Sequence, residues 1–150
     1  MLHTKIIDSN KNKILISKAD KFIKSSSFGA SIYFLGSVRN INQNKKVTGI
    51  TYDVHDEMVL KSFTEIYNEA NQKLGIEEKA VFIDHAKGYL DLGEISIIIA
   101  VATKHREEAY KLSRYIIEEI KKRSPIWKKE HYQNSESNWL KGNPLVHENN

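Results

Sequence analysis

Lys121-Lys122-Arg123-Ser124-Pro125-Ile126-Trp127-Lys128-Lys129-Glu130 joins two kinds of structure. Pro125 has no N–H and disfavours a helical conformation at Ser124, so a helix arriving from the N-terminal side must stop here. Such a helix is predicted upstream. Ala109, Leu112, Tyr115-Ile116 and Ile120 fall on one side, with Glu107, Glu108, Lys111, Arg114 and Glu118 opposite. Downstream, Ile126 to Tyr132 is predicted as a strand, with Trp127 large enough to anchor the turn against a core. Lys121 ends the helix and Lys128 opens the next element. Two ammonium groups can therefore face one pocket from different elements.

Upstream of that helix, Glu94 to Thr103 is a strand whose apolar run, interrupted by Ser96, implies burial on both faces. Gly88 to Gly93 is predicted as a turn with glycine at both ends, after a strand at Ala80–Ile83. Met58, Val59, Phe63, Ile66, Tyr67, Ala70 and Leu74 follow helical spacing, with Asp56 as expected N-cap and Gly75 as the stop. Ile32-Tyr33-Phe34-Leu35 is a buried strand, closed by Gly36. Val47 to Val54 alternates and is expected to pair with that strand as a hairpin. Residues 3–16 suggest two short strands, or a strand and an extended arm. Ser17 is a candidate N-cap for a short helix carrying Ala19, Phe22 and Ile23. Hairpins with intervening helices give an α+β fold, a mainly antiparallel sheet with packed helices.

The chain has 150 residues, a net charge of +4, 40% hydrophobic residues and no cysteine. That length is one domain on the usual prior and can bury a core without disulfides. We expect a single domain over residues 1–150, its core about 29–140, with Trp139-Leu140 docking the tail and 147–150 frayed. No cysteine means no disulfide, thiolate metal site, iron–sulfur cluster or cysteine nucleophile. The N-terminal stretch lacks an apolar signal segment, and the run Ile95–Ala102 is too short to span a bilayer. A cytoplasmic location is the simplest expectation, with no membrane partner.

Neither a Gly-x-Gly-x-x-Gly nor a P-loop occurs, and there is no Gly-x-Ser-x-Gly elbow. The six histidines show no i,i+4 pair, so no metal site is expected and no cofactor is assigned. What remains is cationic. Arg39 follows a buried strand and a glycine. His105-Arg106 opens a helix, whose free N–H groups and partial positive charge suit a phosphate. Two nearby lysines can act as general acid or base, as nucleophile, or as fixed cations for a developing negative charge.

Gly36-Ser37-Val38-Arg39-Asn40, Leu90-Asp91-Leu92-Gly93-Glu94, His105-Arg106, Lys121 through Pro125-Ile126-Trp127-Lys128-Lys129-Glu130, and Trp139 occur in a telling order. In order and approximate spacing the set resembles the large, catalytic subunit of molybdopterin synthase, over roughly Gly29 to Trp139. The resemblance implies an α/β hammerhead fold with an additional antiparallel sheet. It implies a sulfurtransferase in molybdenum cofactor biosynthesis, which converts cyclic pyranopterin monophosphate into molybdopterin by installing a dithiolene. The sulfur would arrive as a thiocarboxylate on the C-terminal Gly-Gly of a small ubiquitin-like subunit. A dimer of large subunits, with one small subunit at each end, would make a heterotetramer. By position, Lys121 and Lys128 match the family's catalytic lysines. Ser37, Val38, Arg39, His105, Arg106, Lys129 and Glu130 match or adjoin its substrate-binding segments.

Three segments depart from the family pattern. His85-Ala86-Lys87-Gly88 lacks an arginine after the histidine, Tyr52-Asp53-Val54-His55 replaces a Tyr-Glu-x-Tyr, and the tail after Trp139 is short of arginine. The alternatives are a non-catalytic anion- or nucleic-acid-binding α+β module, and an inactive paralogue that docks the small partner only. Against nucleic acid, the aromatic residues sit in apolar runs instead of alternating with the basic ones.

Overall fold

The computed structural model of the chain describes residues 1–133 and the backbone of 138–139. Its apolar core is built on β6 (Ile95–Thr103), which is buried at every position after the first and lies second from one edge of the sheet. Antiparallel neighbours flank it, β2 (Ala30–Ser37) on one side and β5 (Ala80–Asp91) on the other. The apolar run has its reason here, because both faces of the sheet are covered. Phe82 of β5 meets Phe22 of α1 (Ile16–Ile23). His85, of opposite parity along the strand, lines a cavity with Ile117 of α3 (Arg106–Arg123). α3 packs in turn on α2 (Asp56–Leu74), whose Val59, Phe63, Ile66 and Ala70 are fully buried.

β5 changes partners along its length. Residues 80–85 pair with β6, and 81–87 pair in parallel with β1 (Leu2–Asp8). Residues 88–91 pair antiparallel with β4 (Lys45–Val54). The changeover falls at Gly88, where φ is +95°, a conformation that L side chains rarely adopt. β4 continues the sheet to β7 (Ile126–Tyr132), edged by β8 (Asn138–Trp139). The short β3 (Ile41–Asn42) folds back on β4 through Gln43 and Asn44, both at positive φ. An α+β fold with a mainly antiparallel sheet results, as expected.

Several local expectations are corrected. Val47–Val54 does not pair with the preceding strand, since β2 is taken by β6 and β4 lies between β5 and β7. The hairpin that β4 does form is the small one with β3. The N-terminal segment gives one strand, and its pairing is parallel. Ile14 is a buried plug, and Ile16 already opens α1 with Leu15 at the cap position, so Ser17 lies inside the first turn. His55, not Asp56, caps α2, its Nδ1 accepting from Met58 N–H at 3.3 Å. Asp56 instead joins the acidic first turn, where the helix dipole favours it. Gly88–Gly93 is not one turn, because β5 runs on to Asp91. Gly75 does stop α2, at φ +67°. The docking of Trp139-Leu140 and the fraying of 147–150 lie outside what the described residues reach.

Candidate active site

The corner after α3 is built from backbone rules and two serines. Ser124 N–H still donates to Ile120 C=O at 3.0 Å, then Pro125 turns the chain extended. Ser124 Oγ lies 2.8 Å from Ser62 Oγ of α2, both side chains buried, and Ile126 is fully buried behind them. These groups anchor the corner. Trp127 does not, because it stands 39% exposed on the outer face of β7. Strand parity explains the exchange: Ile126, Lys128 and Glu130 point inward and Trp127 outward.

That parity carries Lys128 into the protein, where it is 4% exposed. Its Nζ lies 3.4 Å from Oε1 of Glu130, itself 2% exposed. The carboxylate has further donors. Asn42 Nδ2 reaches Oε1 at 2.7 Å and Oε2 at 2.9 Å, and Tyr132 Oη donates to Oε2 at 2.8 Å. Burial, and next the Glu130 carboxylate, push the Tyr132 hydroxyl up to about 12, so it stays a donor at neutral pH.

Lys121 enters from the last turn of α3, one turn beyond Ile117. Both line a cavity of about 120 Å³ with Lys128 and Glu130. Ser37 and Arg39 line the same cavity from the end of β2, with Asn42 of the β3–β4 hairpin. The backbone bulges between Gly36 and Ser37. A Cβ on Gly36 would meet Ile97 Cγ2 at 2.7 Å, so the bulge needs glycine. Lysines from two elements and an arginine from a third therefore converge on one concave site, suited to an anion.

Other predicted residues lie elsewhere. Val38 is buried and serves through its backbone: its N–H donates to Glu94 C=O, and Gly93 N–H donates to its C=O. That clamp fixes the chain just before Arg39. Lys129 points to the opposite face of β7 and does not line the cavity. His105 and Arg106 are exposed at the N-terminus of α3. Fifteen residues of helix put them roughly 22 Å along its axis from Lys121. Within one chain they do not join the cavity. Glu130 does line it, as the counter-charge beside Lys128.

Sequence inspection assigned no role to Asn42, Tyr52 or His85, which line the cavity too. Tyr52 sits opposite Lys128 in the β4–β7 register and meets the buried His85 ring edge-on at 5.0 Å. The parity of β4 placed Tyr52 on the same face as Ile50, but only the pairing with β7 gave that face a lysine. Among the described residues no cluster of His, Asp and Glu could hold a metal.

The family model described as MoaE protein matches residues 9–123. The chain belongs to the MoaE family. A molybdopterin synthase catalytic subunit from Synechococcus elongatus is 40% identical over 135 residues, 90% of this chain and 81% of that one. Such an alignment must include both Lys121 and Lys128. The corresponding protein of Pyrococcus abyssi is 38% identical, over 87% of this chain and 86% of its own. The crystal structure of molybdopterin synthase from Staphylococcus aureus superposes with a TM-score of 0.82 at 31% identity, covering 91% of this chain and 96% of that one. A protein–protein complex of subunits 1 and 2 of molybdopterin-converting factor from Helicobacter pylori superposes at 0.69 with 25% identity, over 88% and 86% of the two chains. The α+β architecture is thus the MoaE fold, and the chain is an enzyme subunit of molybdopterin synthase type. The nucleic-acid-binding alternative gives way to it.

Proposed function

We propose that the cavity between Lys121 and Lys128 receives both a phosphate-bearing pterin and the tail of a small sulfur-carrier subunit. The carrying observation is the convergence of Lys121, Lys128 and Arg39 from three elements on one cavity. No cysteine occurs in the sequence, so the chain has no thiol of its own to carry the sulfur, and the donor proposed is a partner. A thiocarboxylate at a Gly-Gly terminus supplies it as the nucleophile. At each of two side-chain carbons of the cyclic pyranopterin monophosphate a carbon–sulfur bond forms as a carbon–oxygen bond breaks, one displaced oxygen staying on the phosphate and the other leaving as water. Water then cleaves each acyl–sulfur bond, leaving the partner's carboxylate. Two such transfers build the dithiolene. The lysine ammoniums offset the negative charge of the entering tail and of the transition state, and Arg39 offers a two-pronged partner to an anionic group. The complex of two molybdopterin-converting factor subunits seen in Helicobacter pylori supports carrying a small partner over to this chain.

His105 and Arg106 suit a phosphate, but the length of α3 keeps them from their own chain's cavity. We assign them to the pocket of a second copy, in a dimer of large subunits within a heterotetramer. Residues 1–150 act as one domain in this scheme. Among the described residues no helix is long and apolar enough to cross a membrane; the setting we propose is cytoplasmic.

Reconstitution tests the proposal. With a thiocarboxylated small subunit and precursor, the protein should form the dithiolene product. Lys121→Ala should abolish product while the complex still assembles on a sizing column, and retained product would refute the assignment. Arg106→Ala should chiefly raise the precursor concentration needed for half-saturation.

A further inference from the structure

We infer that Asn42 is a positioning residue for the sulfur transfer, acting through Glu130 to hold the Lys128 ammonium in place. The inference rests on Lys128 acting in the reaction as proposed above. An ionised carboxylate has two oxygens and only accepts hydrogen bonds. Glu130 shares them among three donors from two strands: Asn42 at both, Lys128 at Oε1 and Tyr132 at Oε2. Asn42 spans the two oxygens, so it fixes the plane of the carboxylate as well as its place. Its contacts, at 2.7 and 2.9 Å, are closer than the 3.4 Å to Lys128 Nζ. The amide therefore competes with the ammonium for Glu130. Without it, the carboxylate keeps only Tyr132 at Oε2, so it can swing about that contact and draw Lys128 toward itself, away from the cavity. Glu130 and Lys128 are nearly fully buried, so these contacts are stronger than they would be in water.

The fold places Asn42 for this purpose by an unusual route. Gln43 and Asn44 both adopt positive φ, which turns the chain tightly and sets β3 over the end of β7. The base of the hairpin is held by other bonds. Val47 N–H donates to Asn40 C=O at 2.8 Å, and Gln133 N–H to Lys46 C=O at 3.0 Å. Removing the Asn42 side chain thus spares the backbone that carries Arg39, and the effect should fall on Lys128.

The test is single-turnover product formation by the assembled complex, with thiocarboxylated small subunit and saturating precursor. Asn42→Ala should lower the rate constant about 10- to 100-fold, the scale of a small misplacement of a reacting group. Half-saturating precursor should change little. Tyr132→Phe, which removes another donor from the same carboxylate, should slow the same step less. In a Glu130→Gln background, Asn42→Ala should add almost no further loss, because the two side chains act as one unit. An unchanged rate in Asn42→Ala, a loss confined to half-saturation, or losses that multiply across the double variant would overturn the inference. If instead Lys128→Ala kept the full rate, the proposed role of the lysine pair would fail first.

Discussion

Glu130 concentrates the electrostatics of the site in one buried carboxylate, with Lys128 beside it. Each charge offsets part of the cost of burying the other, and an ammonium left in a buried place without its carboxylate loses that offset. Glu130→Ala should therefore lose about 3 kcal/mol of stability in urea denaturation. Glu130→Gln, which keeps the shape, should lose less. A second buried carboxyl behaves differently. Asp84 is 2% exposed and bonded to His3 Nε2 at 2.9 Å. Burial holds its carboxyl above the ordinary value of 3.8, against the opposing pull of His3. A carboxyl raised on folding contributes stability fully below 3.8, and that contribution is lost as pH rises through the folded-state value. At neutral pH Asp84 therefore carries the cost of a buried charge. The Tm of Asp84→Asn minus that of the unsubstituted protein should be more positive at neutral pH than below 3.8. A difference independent of pH would refute this. Neither carboxyl announced its burial in the sequence, where Asp and Glu are surface residues by default.

Elements meet the site through their ends. α3 delivers Lys121 at its last turn, and β7 delivers Lys128 at its third residue, so the corner between them sets the lysine separation. The Ser62–Ser124 contact ties that corner to α2. Ser62→Ala should cost about 1–3 kcal/mol by leaving the Ser124 hydroxyl buried with one partner fewer, and Ser62→Ala/Ser124→Ala less than the sum of the single losses. Thermal melts of the three variants check this. The corner itself was legible in the sequence: Pro125 ends the helix by removing a donor, and β7 runs over the predicted residues. The anchor was not. Trp127 is the obvious candidate by size, yet strand parity turns it outward and gives the inward place to Ile126. Parity is readable along a strand, but which parity faces inward depends on what packs there.

Across the whole molecule, β5 joins the sheet around β6 to the sheet around β4 and β7, and the cavity lies where they meet. His85 comes from β5, Ser37 and Arg39 from the end of β2, and the lysines from α3 and β7. His105 and Arg106 are left at the far end of α3. If a second copy supplies them, Lys121→Ala and Arg106→Ala chains should complement each other. Each is impaired alone, but mixed dimers hold one pocket with both Lys121 and Arg106. Refolding or exchanging the two variants together should restore product formation, and no gain on mixing would place the two residues in separate tasks.

Local patterns in the chain were enough for the helices over α2 and α3, the buried strand β6, the corner at Pro125 and the identity of the cationic residues. Each follows from local physics: apolar period, a missing N–H, a glycine at positive φ, or charge at an element's end. Strand pairing came from the folded molecule alone, since β2 and β4 look like a hairpin until β6 and β7 claim them. So did the buried contact in which Lys128 and Asn42 share the Glu130 carboxylate, and the turning of Lys129 away from the cavity. Pairing and burial are set by contacts between residues far apart in the chain, where no local pattern records the partner.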